Sequence, residues 1–162
     1  FNGGKYTMYE GGLRIPLMIT WEGKYQAQKV SENLVSGLDI LPTLCEAAKV
    51  ETPETVDGIS LHSLLTGTDE SIEHEALYWF GGSQAAMRSG KWKYRWAKEG
   101  EESYAKSSTQ YEGVDLELGE YLYDLETDPG ESENKREKVP KKFEELKAKM
   151  EAWQKETVLV EN

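Results

Sequence analysis

The chain is poor in the residues that most often carry chemistry. A single cysteine, Cys45, excludes an internal disulfide. It lies in an apolar helical pattern and reads as a buried structural thiol. The only histidines, His62 and His74, stand too far from each other and from Cys45 to give a zinc spacing. No apolar run approaches the ~20 residues of a membrane span, so no membrane partner is expected. Clustered lysine and arginine are missing too. The net charge is −11, and residues 99–137 alone sum to −10. That balance argues against nucleic acid, whose phosphates need basic clusters. The acidity is the property of one segment, read as a solvated, charge-rich stretch. An initiator methionine is also lacking. The chain opens on Phe1-Asn2-Gly3-Gly4 and reads as an internal piece of a longer protein, so the lack of a leader carries no information about compartment.

What is present begins with glycine. Two Gly-Gly pairs, Gly3-Gly4 and Gly11-Gly12, bracket Lys5, Tyr6, Tyr9 and Glu10. Glycine pairs mark positive φ or a close backbone approach. A lysine beside such a pair can present a compact cation to a tetrahedral anion such as sulfate or phosphate. On Gly-Gly-Lys alone, a tight turn with a solvated lysine is the simpler reading. The run from Arg14 to Trp21, entered through Pro16, has the length and apolarity of a strand buried on both faces. Leu38, Leu41, Leu44, Cys45 and Ala48 follow a helical stripe. With Asp39 as its cap and Pro42 in its first turn, that helix starts near Ile40 and ends near Val50. Ser60 to Leu65 reads as one helical turn closed by Gly67.

From Ala76 the texture becomes aromatic and β-favouring. Leu77–Phe80, Gln84–Arg88, Lys91–Trp96 and Glu120–Leu125 read as four strands. The third alternates cation and aromatic without a break, which predicts one wet cationic face and one buried aromatic face. The aromatic stripe Trp92, Tyr94 and Trp96 reads as core rather than as a sugar-stacking platform. Residues 97–118 carry no regular pattern and are the local candidate for contact with the remainder of a substrate. Thr127-Asp128-Pro129-Gly130 is a turn. Phe143, Leu146, Met150 and Trp153 give an amphipathic helix over 140–157, entered through Pro140. The expected architecture is α/β in two pieces. Residues 1–68 would end an α/β layer (strand near 14–21, helix near 40–50), and residues 76–162 would form a small four-stranded antiparallel sheet packed with a C-terminal helix.

The order of these signals resembles one family. Gly4-Lys5-x-Thr7-x-Tyr9-Glu10-Gly11-Gly12-x-Arg14-Ile15-Pro16 is similar to the Gly-Lys-x-x-x-Tyr-Glu-Gly-Gly-x-Arg-x-Pro signature of formylglycine-dependent (type I) sulfatases. Asp39-Ile40-Leu41-Pro42-Thr43-Leu44 resembles that family's helix start. Asp57-Gly58-x-Ser60-Leu61 with Leu64-Leu65-x-Gly67 resembles its next loop. Arg88-x-Gly90-x-Trp92-Lys93 and Leu122-Tyr123-Asp124-Leu125-x-x-Asp128-Pro129-Gly130-Glu131 resemble its closing sheet. The resemblance implies the C-terminal third or so of an arylsulfatase-like enzyme of the alkaline phosphatase superfamily, a sulfuric ester hydrolase acting on a sulfated carbohydrate or aryl sulfate. It implies that Lys5 contacts the sulfate, with Tyr9, Glu10, Gly11, Gly12 and Arg14 supporting the signature loop. It also implies a formylglycine nucleophile and a Ca2+ ion, both expected upstream of residue 1, since the Cys/Ser-x-Pro-x-Arg motif and the aspartate cluster are not in these residues. The piece alone is then expected to be inactive and to bind no metal. Its expected partners are a sulfated small molecule or saccharide and the N-terminal part of the same parent chain. Exported enzymes, periplasmic or secreted, are common in that family. The competing readings are a non-catalytic structural or sugar-binding module and part of a related phosphodiesterase or phosphonate hydrolase.

Overall fold

The structure, a computed structural model, describes residues 1–25, 28–69, 71–72, 74–99 and 117–157. The chain divides into two compact units, one of Phe1–Ile15 with Ala76–Asn162 and one of Pro16–Glu75.

The first unit is built on four strands, β1 (Leu77–Phe80), β2 (Gln84–Ser89), β3 (Trp92–Ala97) and β4 (Gly119–Asp124), antiparallel and in sequence order. Register follows the turns. Phe80 faces Ala85 across the first turn, and Ser89 faces Trp92 across the second. Period-two alternation then sends Ala85, Met87, Tyr94 and Leu122 to one face of the sheet. The C-terminal helix, named α4 here (Pro140–Thr157), covers that face with Phe143, Leu146 and Met150. Leu146 and Met150 are fully buried, each worth roughly 1.5–3 kcal/mol of apolar transfer. Trp153 closes the helix end by stacking on Tyr78, centroids 4.9 Å apart. The edge of β4 is occupied as well. Leu122 N–H donates to Asn134 Oδ1 at 3.1 Å, and Lys135 N–H donates to the Leu122 carbonyl at 2.7 Å. The expected closing sheet with its helix is therefore present, and the aromatic stripe of β3 is core.

The other face of β3 departs from expectation. Lys93 and Arg95 are not wet; both are completely buried. Residues 1–15 cover them, which is why this stretch belongs with the sheet rather than with 16–68, as a division at residue 68 anticipates. Within the cover is the short helix α1 (Glu10–Leu13).

The second unit holds a 3-10 turn (Gly37–Asp39) running into α2 (Ile40–Ala48), then α3 (His62–Thr66), ended by Gly67 at φ 78°. Pro42 sits in the first turn of α2 as expected, but Asp39 does not cap that helix. Its carboxylate instead accepts from Ser36 N–H at 2.7 Å and Ile59 N–H at 2.9 Å, and meets His74 Nε2 at 2.9 Å. Ser36 is the cap, reciprocated by Asp39 three residues on in a capping box. The competing demand is long range: a buried carboxylate is held by every donor within reach, and two of these lie well downstream. The leucine stripe of α2 is exposed at Leu41 and Leu44, and the residues α2 buries are Pro42 and Thr43. Cys45 is half-buried rather than buried. Residues 14–21 form no strand. A strand exists only with a partner to complete its ladder, and the one sheet among the described residues is β1–β4. Ile15 and Met18 stand exposed. Most of the patternless 97–118 segment lies outside the described residues.

Candidate active-site loop

Lys5 stands at the tip of a β-turn. Thr7 N–H donates to the Gly4 carbonyl at 3.0 Å, and the Thr7 hydroxyl donates to the same oxygen at 2.7 Å. Gly4 N–H returns a bond to Thr7 Oγ1 at 3.2 Å. Lys5 and Tyr6 are the two central residues, and Tyr6 takes φ 73°. Glycine normally fills that position of a type II turn, so a tyrosine there stores strain that surrounding contacts must hold. The Lys5 side chain is exposed, its ammonium 4.9 Å from the Tyr6 ring centroid. Among the described residues it has no salt-bridge partner.

The loop closes on itself through its second glycine pair. Gly11 N–H donates to the Asn2 carbonyl at 2.8 Å. A Cβ on Gly12 would overlap the carbonyl oxygens of Thr7 and Gly4, so backbone occupies the space a side chain needs. Arg14 ends the stretch exposed, its guanidinium 4.9 Å from the Phe1 ring, and is not drawn into the ion pairs beneath the loop.

Beneath the loop lies the cationic face of the sheet. Glu10, buried, receives the Lys93 ammonium at 2.9 Å and Arg88 Nη1 at 3.4 Å. Glu131, on the turn after β4, completes the cluster. One of its oxygens is 2.8 Å from Lys93 Nζ, and the other accepts Glu10 N–H at 2.6 Å, at the start of α1 where a negative charge is favoured. Glu131 holds φ 54° to reach this position. Burial pushes its carboxyl above the ordinary glutamate range, and the Lys93 ammonium pulls against that shift. Beside this cluster, the Arg95 guanidinium lies 4.0 Å from the Tyr9 ring centroid and 5.0 Å from that of Tyr121, and Nη2 donates to the Glu117 carbonyl at 2.8 Å. Burial raises the Tyr9 phenol, opposed by Arg95. At the Lys5 end of the loop, the Gln84 amide donates to the Tyr6 carbonyl at 2.7 Å and accepts Met8 N–H at 3.0 Å.

Of the residues read as loop support from sequence, Tyr9 and Glu10 are buried in the loop's base, Gly11 and Gly12 close the loop through its backbone, and the Arg14 side chain takes no part in either. Gln84, Arg88, Lys93 and Glu131 also hold it, and sequence reasoning did not assign them that task. The available signal was that Lys93 and Arg95 share one face of β3, a pairing that needs anionic or aromatic cover once buried. The loop offers one exposed ammonium on a fixed turn, suited to a tetrahedral anion. Among the described residues no group of three or more His, Cys, Asp or Glu is placed to hold a metal ion, and no helix is long and apolar enough to cross a membrane.

Comparison with known proteins places these features in context. The family model described as N-sulphoglucosamine sulphohydrolase, C-terminal, matches residues 3–157. Arylsulfatase A of Bos taurus is 33% identical, over 92% of this chain and 33% of its own length. The N-acetylgalactosamine-6-O-sulfatase of Bacteroides thetaiotaomicron is 31% identical, over 94% of this chain and 29% of its own. A solved sulfatase from the metabolism of multiple glycosaminoglycans by Bacteroides thetaiotaomicron superposes with a TM-score of 0.74 at 27% identity, covering 96% of this chain and 32% of that one. The chain spans about a third of the length of the curated relatives it matches.

Proposed function

The chain belongs to the sulfatase family, and from that premise we propose that it supplies the sulfate-contacting lysine and the closing sheet of a sulfuric ester hydrolase. The observation that carries the reading is Lys5: an exposed ammonium, at the tip of a strained turn, on a loop whose underside is locked by buried contacts. A cation placed in this way can neutralise charge on the oxygens of a sulfuryl group as its ester bond breaks, at no cost of reorganisation. Glu10, Lys93 and Glu131 do not touch substrate in this reading; they fix the loop.

The substrate class we favour is a sulfated carbohydrate, with an aryl sulfate as the other candidate. The support is the likeness to the N-acetylgalactosamine-6-O-sulfatase and to arylsulfatase A. The nucleophile and a calcium ion belong, in this proposal, to the N-terminal part of the parent chain. Among the described residues no group of three or more His, Cys, Asp or Glu is placed to hold a metal ion, and none of the chemistry proposed for them runs through one. Leu17, Met18, Leu41 and Leu44 are exposed in the second unit, and the proposal has that N-terminal part cover them.

The test is Lys5→Ala in the full-length parent. Turnover of a sulfate ester is expected to fall by about 10²–10³-fold, the usual effect of removing one charge-stabilising group, with the melting temperature unchanged. Unaltered kinetics would remove Lys5 from the site. A parent sequence without a Cys/Ser-x-Pro-x-Arg motif and aspartate cluster, or sulfatase activity from the isolated 162 residues, would overturn the division of labour.

A further inference from the structure

We infer that Gln84 is the positioning residue for Lys5. The inference rests on the sulfate-contacting role proposed above. Gln84 begins β2 and is 5% exposed. Its amide grips the backbone on both sides of Thr7: Nε2–H donates to the Tyr6 carbonyl at 2.7 Å, and Oε1 accepts Met8 N–H at 3.0 Å. A primary amide can donate and accept at one end, so it can satisfy a backbone carbonyl and a backbone N–H of the loop at once. The residue it restrains is the strained one. Tyr6 holds φ 73°, the left-handed conformation that this turn needs at the position after Lys5. Without the amide, Tyr6 relaxes toward negative φ, the turn opens and the Lys5 ammonium swings off its position.

The Glu10, Lys93 and Glu131 cluster does not duplicate this task. It binds the loop at Glu10, the start of α1, after the turn has closed. Gln84 is thus a contact that carries the rigidity of the sheet directly to the turn.

A double-mutant cycle in the full-length parent separates this from a structural role. Gln84→Leu is expected to lower kcat by about 10²-fold, the effect of displacing a reacting group by about 1 Å. KM should change less than kcat. In the Lys5→Ala background the same change should cost less than about 2-fold, because the group it positions is gone. Gln84→Glu keeps the acceptor for Met8 N–H and loses the donor to Tyr6; it should show the same coupling, and it serves where the leucine variant fails to fold. Equal losses in both backgrounds would overturn the inference, since Gln84 would then act through the fold. No loss on Gln84→Leu beside a large loss on Lys5→Ala would overturn the inference and leave the role of Lys5 standing. No loss on Lys5→Ala would overturn both.

Discussion

Lys93 Nζ lies 2.9 Å from the Glu10 carboxylate, across 83 residues of sequence, with both side chains out of solvent. The pair fastens the N-terminal loop to the middle of the sheet. Breaking a buried pair from one side leaves an uncompensated charge, so Lys93→Met is expected to destabilise the protein by about 3–5 kcal/mol. Denaturant unfolding of the parent measures it. In that variant Glu131 loses its cation, and Glu10 loses one of its two, keeping Arg88. Adding Glu131→Gln to Lys93→Met should therefore recover part of the loss, and full additivity of the two would show that they do not share the cluster.

Two carboxyls on the turn after β4 respond to pH with opposite sign. Burial holds Glu131 above its ordinary value of 4.5, against the pull of Lys93. The folded protein then binds this proton more tightly than the unfolded chain. Its contribution is present in acid and is lost as pH rises from the ordinary value through the folded one. Asp128 is shifted the other way. Some burial raises it, but bonds from the N–H groups of Glu133 and Ser132 and from the Ser132 hydroxyl lower it further, below its ordinary 3.8. Its contribution is present above that value and lost as pH falls through the folded one. Glu131→Gln should remove a fall in stability toward neutral pH, whereas Asp128→Asn should remove a loss in acid. Unfolding free energies of both variants across the pH range, each subtracted from the wild type, should slope in opposite directions.

The glycines of the loop are not equivalent. Gly12→Ala forces a Cβ onto the Thr7 and Gly4 carbonyls, whereas a Cβ on Gly4 meets nothing within 4 Å. Overpacking of that kind costs about 1–3 kcal/mol. Gly12→Ala should lower the melting temperature and the turnover of the parent, and Gly4→Ala should leave the melting temperature near the wild type. Equal melting temperatures would mean that the loop backbone does not pack as described.

In the second unit, Asp39→Ala strips an acceptor from Ser36 N–H, Ile59 N–H and His74. Each buried donor left unsatisfied costs about 1–3 kcal/mol. The loss should be local, and hydrogen exchange should show it at Ile59 and Ser36 before the amides of β2 and β3 are affected.

The elements that sequence made legible are those whose signal is local. The alternation of Lys91 to Trp96 gave β3, and the spacing of Phe143, Leu146 and Met150 gave α4 with its buried face. Alternation states that two faces differ; it does not state what covers each. Lys93 and Arg95 therefore read as a wet face, although Glu10 and Tyr9 from far upstream bury them. Asp39 read as a helix cap for the same reason, because its partners Ile59 and His74 are remote. The strand read over 14–21 rested on apolarity alone, and apolarity supplies no ladder partner. At the candidate site, the motif is what singled out Lys5 for the role proposed for it. Gln84 could not be singled out, since a lone glutamine at the start of a strand carries no pattern of its own.

The contact between Glu10 N–H and Glu131 spans 121 residues, which has a consequence for synthesis. At about 5–20 residues per second, the loop that presents Lys5 leaves the ribosome roughly 6–24 s before its last anchor does. Until β2 emerges the strained Tyr6 turn lacks Gln84, and Lys93, once made, has only one of its two carboxylates to meet until Glu131 follows. The loop nearest the start of this chain is thus among the last parts to be fixed, and a nascent chain halted before residue 131 would display Lys5 on a loop with its lock still open.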